Sequence, residues 1–263
     1  MSARAAASSR SEPLGHIHPI RRTIRYYLSR IVAAALTRAW LRFDVEGREH
    51  LPAGPAIYAF NHLSWADPFV LMATLPLRPR LSFFGPREED MRAGGRNRLM
   101  LWTGSAIPYK PGKNDLLEAT RRVSAVVGRG GALAIAGEGR IGALEDRLLP
   151  LNDGPAYFAL RSRVPLVPIA INGTSWLRFG ARVRVRIGEP IVGTSRPDRL
   201  AVEAMTATLA ERLEAMLAGG PTPRREGRVA SWVTERFNEW PEGSREAALE
   251  AQLAGTPARA ETV

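Results

Sequence analysis

His62 and Asp67 are separated by four residues in Asn61-His62-Leu63-Ser64-Trp65-Ala66-Asp67-Pro68-Phe69. The ordinary pKa of imidazole lies closer to neutrality than that of any other side chain, so a histidine can take a proton from an alcohol. A carboxylate on its other ring nitrogen fixes the tautomer and stabilises the imidazolium as it forms. One short loop would then supply both the base and its orienter. A strand cap and a helix start explain the same two residues without chemistry, and spacing alone does not separate the readings. A second string, Gly137-Glu138-Gly139-Arg140, follows another apolar run. Its glycines allow close approach to a ligand, Arg140 can grip a phosphate bidentately, and Glu138 can orient a hydroxyl or anchor that arginine. Read by itself, the string also fits a tight turn with a surface ion pair.

The elements needed to position these strings are legible as apolar runs. Residues 55–60 read as a buried strand ending at Asn61-His62. Ser64 and Asp67 form a capping-box-like pair before a helix carrying Phe69, Val70, Leu71 and Leu75, with Pro68 at an early helical position. His62 is thus expected at a strand end and Asp67 in the first turn of the next helix, where open α/β sheets often place their sites. Further strands are expected at 81–84, 107–109, 132–135, 164–171 and 182–187. Prolines 165 and 168 suggest an edge or irregular position for the fourth of these. Helices are expected over 114–127, capped by Asn114, over 153–161, and along the stripe Leu200, Met205, Leu209, Leu213, Leu217. The alternation of strands and helices predicts an α/β fold, a single layered domain over 45–220 with a mixed, largely parallel sheet flanked by helices.

Composition narrows the chemistry. The 263 residues are 45% hydrophobic, enough for one sizeable core with terminal extensions. Cysteine is absent, which excludes disulfides, thiolate metal sites and a Cys-linked acyl intermediate. Histidine occurs only at 16, 18, 50 and 62, too sparse for an imidazole metal centre, and none is expected. The net charge of +11 suits anionic lipid, phosphorylated ligands or nucleic acid. It is uneven: residues 1–48 hold nine Arg against three acids. The only lysines, Lys110 and Lys113, share one short segment.

Residues 1–19 read as a disordered leader. No apolar run reaches the roughly 18–20 residues of a membrane span. Residues 20–44 read as an amphipathic, Arg-rich helix that lies on an anionic bilayer or packs on the body with its arginines outward, two readings that are compatible. Residues 221–263, with Trp232, Phe237 and Trp240 among charges, read as an appendage, a candidate docking helix, without chemistry of its own.

The order of the strings carries more than any one of them. Asn-His-x-Ser-x-x-Asp-Pro is followed by Gly104-Ser105-Ala106-Ile107-Pro108, Glu138-Gly139-Arg140-Ile141, Leu148-Leu149-Pro150 with Gly154, the proline-spaced run 164–171, and Gly188-Glu189-Pro190-Ile191. Over about residues 40–217 this resembles the phospholipid/glycerol acyltransferase family, best known for 1-acylglycerol-3-phosphate acyltransferases. The resemblance implies direct acyl transfer from acyl-CoA or acyl-carrier protein to a glycerol hydroxyl in phospholipid biosynthesis, with no further cofactor. It makes His62 the general base and Asp67 its orienter. Glu138, Gly139 and Arg140 match the motif that helps bind the acceptor's phosphate, and Lys110 falls in the segment that supplies another basic contact. Asn61 and Ser64 join the substrate-binding set, Ser64 being read as a cap rather than a nucleophile. The implied partners are a membrane lipid acceptor, the acyl donor and an anionic membrane surface, the enzyme being peripheral on the cytoplasmic face.

Three departures bear on the acceptor. Ala136-Gly137 stands where the family usually has an aromatic residue and proline. Arg140-Ile141 stands for the common Thr-Arg. Asn152-Asp153 stands where many members are basic before Gly154, and an acid there would repel a phosphomonoester. A different lysolipid or hydroxyl-bearing head group therefore remains an alternative, as does a non-catalytic lipid binder, which would have no need for both His62 and Asp67. Nucleic acid is not expected as a partner, since no helix-turn-helix, zinc-finger or aromatic-stacking motif accompanies the charge. A serine hydrolase would need a Gly-x-Ser-x-Gly elbow, which is absent.

Overall fold

Short apolar runs closed by Gly, Pro or Asn form strands buried on both faces. The computed structural model describes residues 19–87, 100, 102–109, 115–193, 196–219 and 227–238. The expected leader, Lys110, Lys113, the Asn114 cap and Trp240 lie outside them. The strands are β1 (Arg42–Glu46), β2 (Ile57–Phe60), β3 (Leu81–Arg87), β4 (Ala106–Tyr109), β5 (Ala132–Ala136), β6 (Leu166–Asn172) and β7 (Arg182–Ile187). They form one sheet in the order β1-β7-β6-β2-β5-β3-β4, with every neighbouring pair parallel except β6 and β7.

The helices are α1 (Pro19–Trp40), α2 (Asp67–Thr74), α3 (Asp115–Gly128), α4 (Gly154–Ser162), α5 (Arg199–Leu217) and α6 (Arg228–Asn238). Successive side chains of a strand point to opposite faces, so each central strand feeds two cores. Tyr58 and Phe60 pack with Val70 and Leu71 of α2, whereas Ile57 and Ala59 pack with Val123, Phe158, Leu209 and Leu213 of α3, α4 and α5. The result is the layered α/β architecture with a mixed, largely parallel sheet.

Several local expectations change. The first helix stops at Trp40, and Arg42–Glu46 is a strand parallel to β7. Strand β6 lies inside the sheet between β7 and β2, not at an edge. Its irregularity is real, however. On the β7 side, Gly188 N–H donates to the Pro168 carbonyl, and the next pairing is Leu166 with Ile191. The skipped residues at 189–190 interrupt the ladder where Pro168 lacks an N–H, so the sheet tolerates an interior proline. On α5, Leu200 is exposed and Val202 takes its place in the buried stripe.

Helix α1 packs in a sense the sequence reading did not contain. Arg30 is buried and donates to the carbonyls of Leu75, Pro76 and Leu77 just beyond α2. Arg38 Nε donates to Ala73 O and Arg48 to Thr74 O. The last carbonyls of a helix lack intrahelical partners and carry partial negative charge, so guanidinium groups suit them. Of these three, Arg30 faces inward and is buried, while Arg38 and Arg48 reach the end of α2 from the surface. Ile20, Ile24, Leu28, Ile31, Val32, Leu36 and Trp40 face outward, each between 45% and 67% exposed.

Candidate active site

Three neighbouring parallel strands, β6, β2 and β5, end in loops that meet at one edge of the sheet. The chain leaves β2 for β3 on one side, and later leaves β5 for β6 on the other, crossing over β2. Such a reversal opens a crevice at the carboxyl ends of the strands. The loop after β2 carries His62, that after β5 carries Glu138, and that after β6 carries Thr174.

His62 Nδ1 lies 2.8 Å from Asp67 Oδ2. Asp67 is fully buried and the His62 side chain is 13% exposed, so the carboxylate is sealed while the ring can be reached. The Oδ2 atom also accepts from the N–H groups of Leu63 (2.7 Å) and Ser64 (3.0 Å), and Oδ1 accepts from Thr174 Oγ1 (2.6 Å). Four donors hold one buried carboxylate. Because Oδ2 already faces two N–H donors, it accepts a third from Nδ1–H, which leaves Nε2 as the nitrogen able to take a proton. Phe60 and Trp65 meet the imidazole edge to face at 6.0 and 6.1 Å.

The turn after β5 grips the backbone of His62 from both sides. His62 N–H donates to Glu138 Oε2 at 2.8 Å, and Gly142 N–H donates to His62 O at 2.6 Å. Glu138 Oε1 accepts from Leu149 N–H at 2.8 Å, so one buried carboxylate ties three loop segments together. Burial pushes Glu138 up to about 7, against the two N–H bonds and the nearby His62, which favour its charged form. Glu138 is therefore placed as a clasp on the base's backbone. Gly139 adopts φ 65, and a Cβ there would lie 2.4 Å from Asn152 Nδ2. Arg140 follows on the same turn, partly exposed.

The two remaining described candidates do structural work. Asn61 bridges β2 and β6, its Nδ2 donating to Ile171 O at 2.9 Å and its Oδ1 accepting from Ile171 N–H at 2.7 Å. Ser64 is fully buried, and its Oγ accepts from Ala66 N–H at 3.1 Å. Both side chains thus hold the loop and the strand ends around the pair. Lys110 lies outside the described residues.

Sequence reasoning passed over Thr174, Glu145 and Asn238. Glu145 is buried, accepts from Ser175 Oγ and from the N–H groups of Gly173 and Ser175, and so shapes the turn that presents Thr174 to Asp67. Burial pushes its carboxyl above the usual range, with these hydrogen bonds opposing. The polar run Asn172-Gly173-Thr174-Ser175 after a fully buried strand was the available signal for Thr174. Glu145 offered none. Among the described residues, no three His, Asp or Glu side chains come together as metal ligands.

Residues 42–172 match the sequence model of the family described as Acyltransferase. The chain belongs to the acyltransferase family. It is 26% identical over 200 residues to the chloroplastic 1-acyl-sn-glycerol-3-phosphate acyltransferase BAT2 of Brassica napus, an alignment covering 70% of this chain and 55% of that protein. The chain thus spans about half the length of this curated relative. The crystal structure of the 1-acyl-sn-glycerophosphate (LPA) acyltransferase PlsC from Thermotoga maritima superposes with a TM-score of 0.58 at 19% identity, covering 75% of this chain and 81% of that one. At that identity the likeness speaks for the fold. The acyltransferase match includes His62, Asp67 and Glu138–Arg140 and ends at Asn172, one residue before the turn that carries Thr174.

Proposed function

We propose that this acyltransferase moves a fatty acyl group from a thioester, acyl-CoA or acyl-carrier protein, to the free hydroxyl of 1-acyl-sn-glycerol-3-phosphate at a membrane surface. The observation that carries the reading is the His62–Asp67 pair, a reachable imidazole oriented by a sealed carboxylate that four donors hold. His62 Nε2 takes the acceptor's hydroxyl proton as that oxygen attacks the thioester carbonyl. Asp67 stabilises the imidazolium. Collapse of the tetrahedral intermediate breaks the carbon–sulfur bond, and the imidazolium returns the proton to the departing thiolate. Burial of Ser64 and the use of its Oγ within the protein favour direct transfer over a seryl intermediate. Arg140 supplies the charge for the acceptor's phosphate, and Lys110 a second basic contact.

A lysolipid with another head group is the second reading. It is favoured by Asn152, whose amide borders Gly139 where many family members are basic. Asp153 accepts from Thr206 Oγ1 at 2.8 Å, which ties that acid to α5.

The exposed stripe on α1 supports peripheral attachment to an anionic bilayer, which this reading places at the cytoplasmic face. Trp40 packs against Phe179, and both line a groove with Leu177, Val229 and Val233, which extends the apolar surface toward α6. No helix among the described residues is long and apolar enough to cross a membrane.

The test offers one long-chain acyl-CoA and a panel of lysolipids to the purified chain, with products read by mass spectrometry. A phosphorylated acceptor is expected to be acylated by the wild type. His62→Ala is expected to abolish transfer while leaving the circular dichroism spectrum unchanged, and wild-type turnover in that variant would sink the mechanism.

A further inference from the structure

The buried face of α6 is polar: its buried residues are Thr234 and Asn238, one turn apart. Polar burial returns little stability but demands geometry, because each group must find its partner. Both find partners on loops of the site. Thr234 Oγ1 accepts from Leu177 N–H at 2.8 Å and donates to Ala230 O at 2.8 Å, fixing α6 to the segment that follows Thr174. Asn238 Nδ2 donates to Thr234 O at 2.9 Å, which sets the amide's orientation. Its Oδ1 then accepts from Trp65 N–H at 2.7 Å and from Ser64 Oγ at 3.2 Å. Phe237 also meets Phe69 of α2 edge to face at 6.1 Å.

These contacts lie between His62 and Asp67 along the chain. Ser64 N–H is one of the donors to Asp67, and the Trp65 ring packs on the His62 imidazole. We infer that Asn238 is a positioning residue, through which α6, beyond the acyltransferase match, holds the loop that aligns His62 with Asp67. Removing the amide leaves the Trp65 N–H and the Ser64 hydroxyl without this buried acceptor. The loop then loses the support that keeps Ser64 N–H on Asp67 and Trp65 on the imidazole. A sub-ångström loss of alignment in a proton-transfer pair lowers turnover without touching either substrate. The inference rests on the acyl-transfer reading for its kinetic consequence, but not for its structural one.

The experiment uses the full chain with histidine nitrogens labelled, in wild type, Asn238→Ala and Asn238→Asp. The aspartate variant keeps an acceptor oxygen for Trp65 and Ser64. Nitrogen NMR reads the His62 tautomer without substrate, and steady-state assays use oleoyl-CoA and 1-oleoyl-lysophosphatidic acid. Expected is an Nδ1-protonated His62 in the wild type and mixed tautomers in Asn238→Ala. That variant should lose about tenfold or more in kcat, with both KM values within about twofold. Asn238→Asp should restore the single tautomer and most of the turnover. Wild-type tautomer and kcat in Asn238→Ala would overturn the inference. So would a fall confined to KM, which belongs to a substrate contact. If Asn238→Ala does not fold, mixed tautomers in folded Asn238→Asp overturn it equally. A wild type that acylates no lysolipid defeats the acyl-transfer reading, while the tautomer still judges Asn238.

Discussion

A buried carboxylate has consequences that depend on what it accepts. Asp67 meets four donors, whereas Glu138 meets two N–H groups inside a site that is otherwise poorly solvating. For Glu138 burial wins, and its proton is held up to about 7 in the folded chain, against an ordinary value of 4.5. A carboxyl whose folded value is raised adds stability while it is protonated in both states, below about 4.5. That contribution is lost as pH rises toward 7, because the unfolded chain releases its proton first. At roughly 1.4 kcal/mol per unit the swing is on the order of 3 kcal/mol. Glu138→Gln removes the titration while Glu145 titrates alike in both proteins. The stability advantage of the wild type over this variant should therefore shrink between pH 4.5 and 7 and stay flat above 8. Urea midpoints measured across that range check it, and a parallel pair of curves would contradict it. The pairing of His62 with Asp67 was legible from the order of the strings along the chain. Their spacing alone also fits a strand cap and a helix start, and the fold brings Nδ1 within 2.8 Å of Oδ2. Glu138 was found in its string, but its hold on the His62 and Leu149 backbones was not, since a side chain's choice of a backbone N–H depends on which loops the fold brings together.

Strand order and helix facing sit at the next scale. The central runs were readable because strands buried on both faces are apolar throughout, and each ends where a polar or glycine residue begins. Strand β1 was missed because an edge strand with no buried side chain carries no apolar run. The facing of α1 could not be read either, because its inward partner is a set of carbonyls at the end of α2, and carbonyls leave no mark in the sequence. Arg30 inside with leucine outside inverts the usual rule, and a substitution tests it. Arg30→Met keeps much of the aliphatic stem and removes the guanidinium from three carbonyls and the Tyr26 hydroxyl. The loss expected is about 2–4 kcal/mol, read as a lower urea midpoint at unchanged slope. An unchanged midpoint would mean that the inward arginine contributes nothing to the packing of α1.

On the scale of the molecule, the same inversion leaves an apolar stripe in the open on a protein of net charge +11. Charge and apolar area make different demands on a lipid surface. Attraction between arginines and anionic head groups is screened within about 10 Å at 0.1 M salt. Burial of apolar side chains is not, and each one fully buried contributes about 1.5–3 kcal/mol. Binding to phosphatidylglycerol-containing vesicles should weaken with salt and then level off at a residual set by the stripe. Ile24→Glu combined with Leu28→Glu removes two outward side chains, 60% and 61% exposed, and adds two charges repelled by the bilayer. Because exposed positions tolerate substitution within about 0.5 kcal/mol, the pair should fold as the wild type does. Its vesicle binding should fall at least about tenfold at every salt concentration, as co-sedimentation would read. Release by salt alone, with the double variant binding as the wild type does, would assign attachment to the arginines and leave the exposed face of α1 without that role.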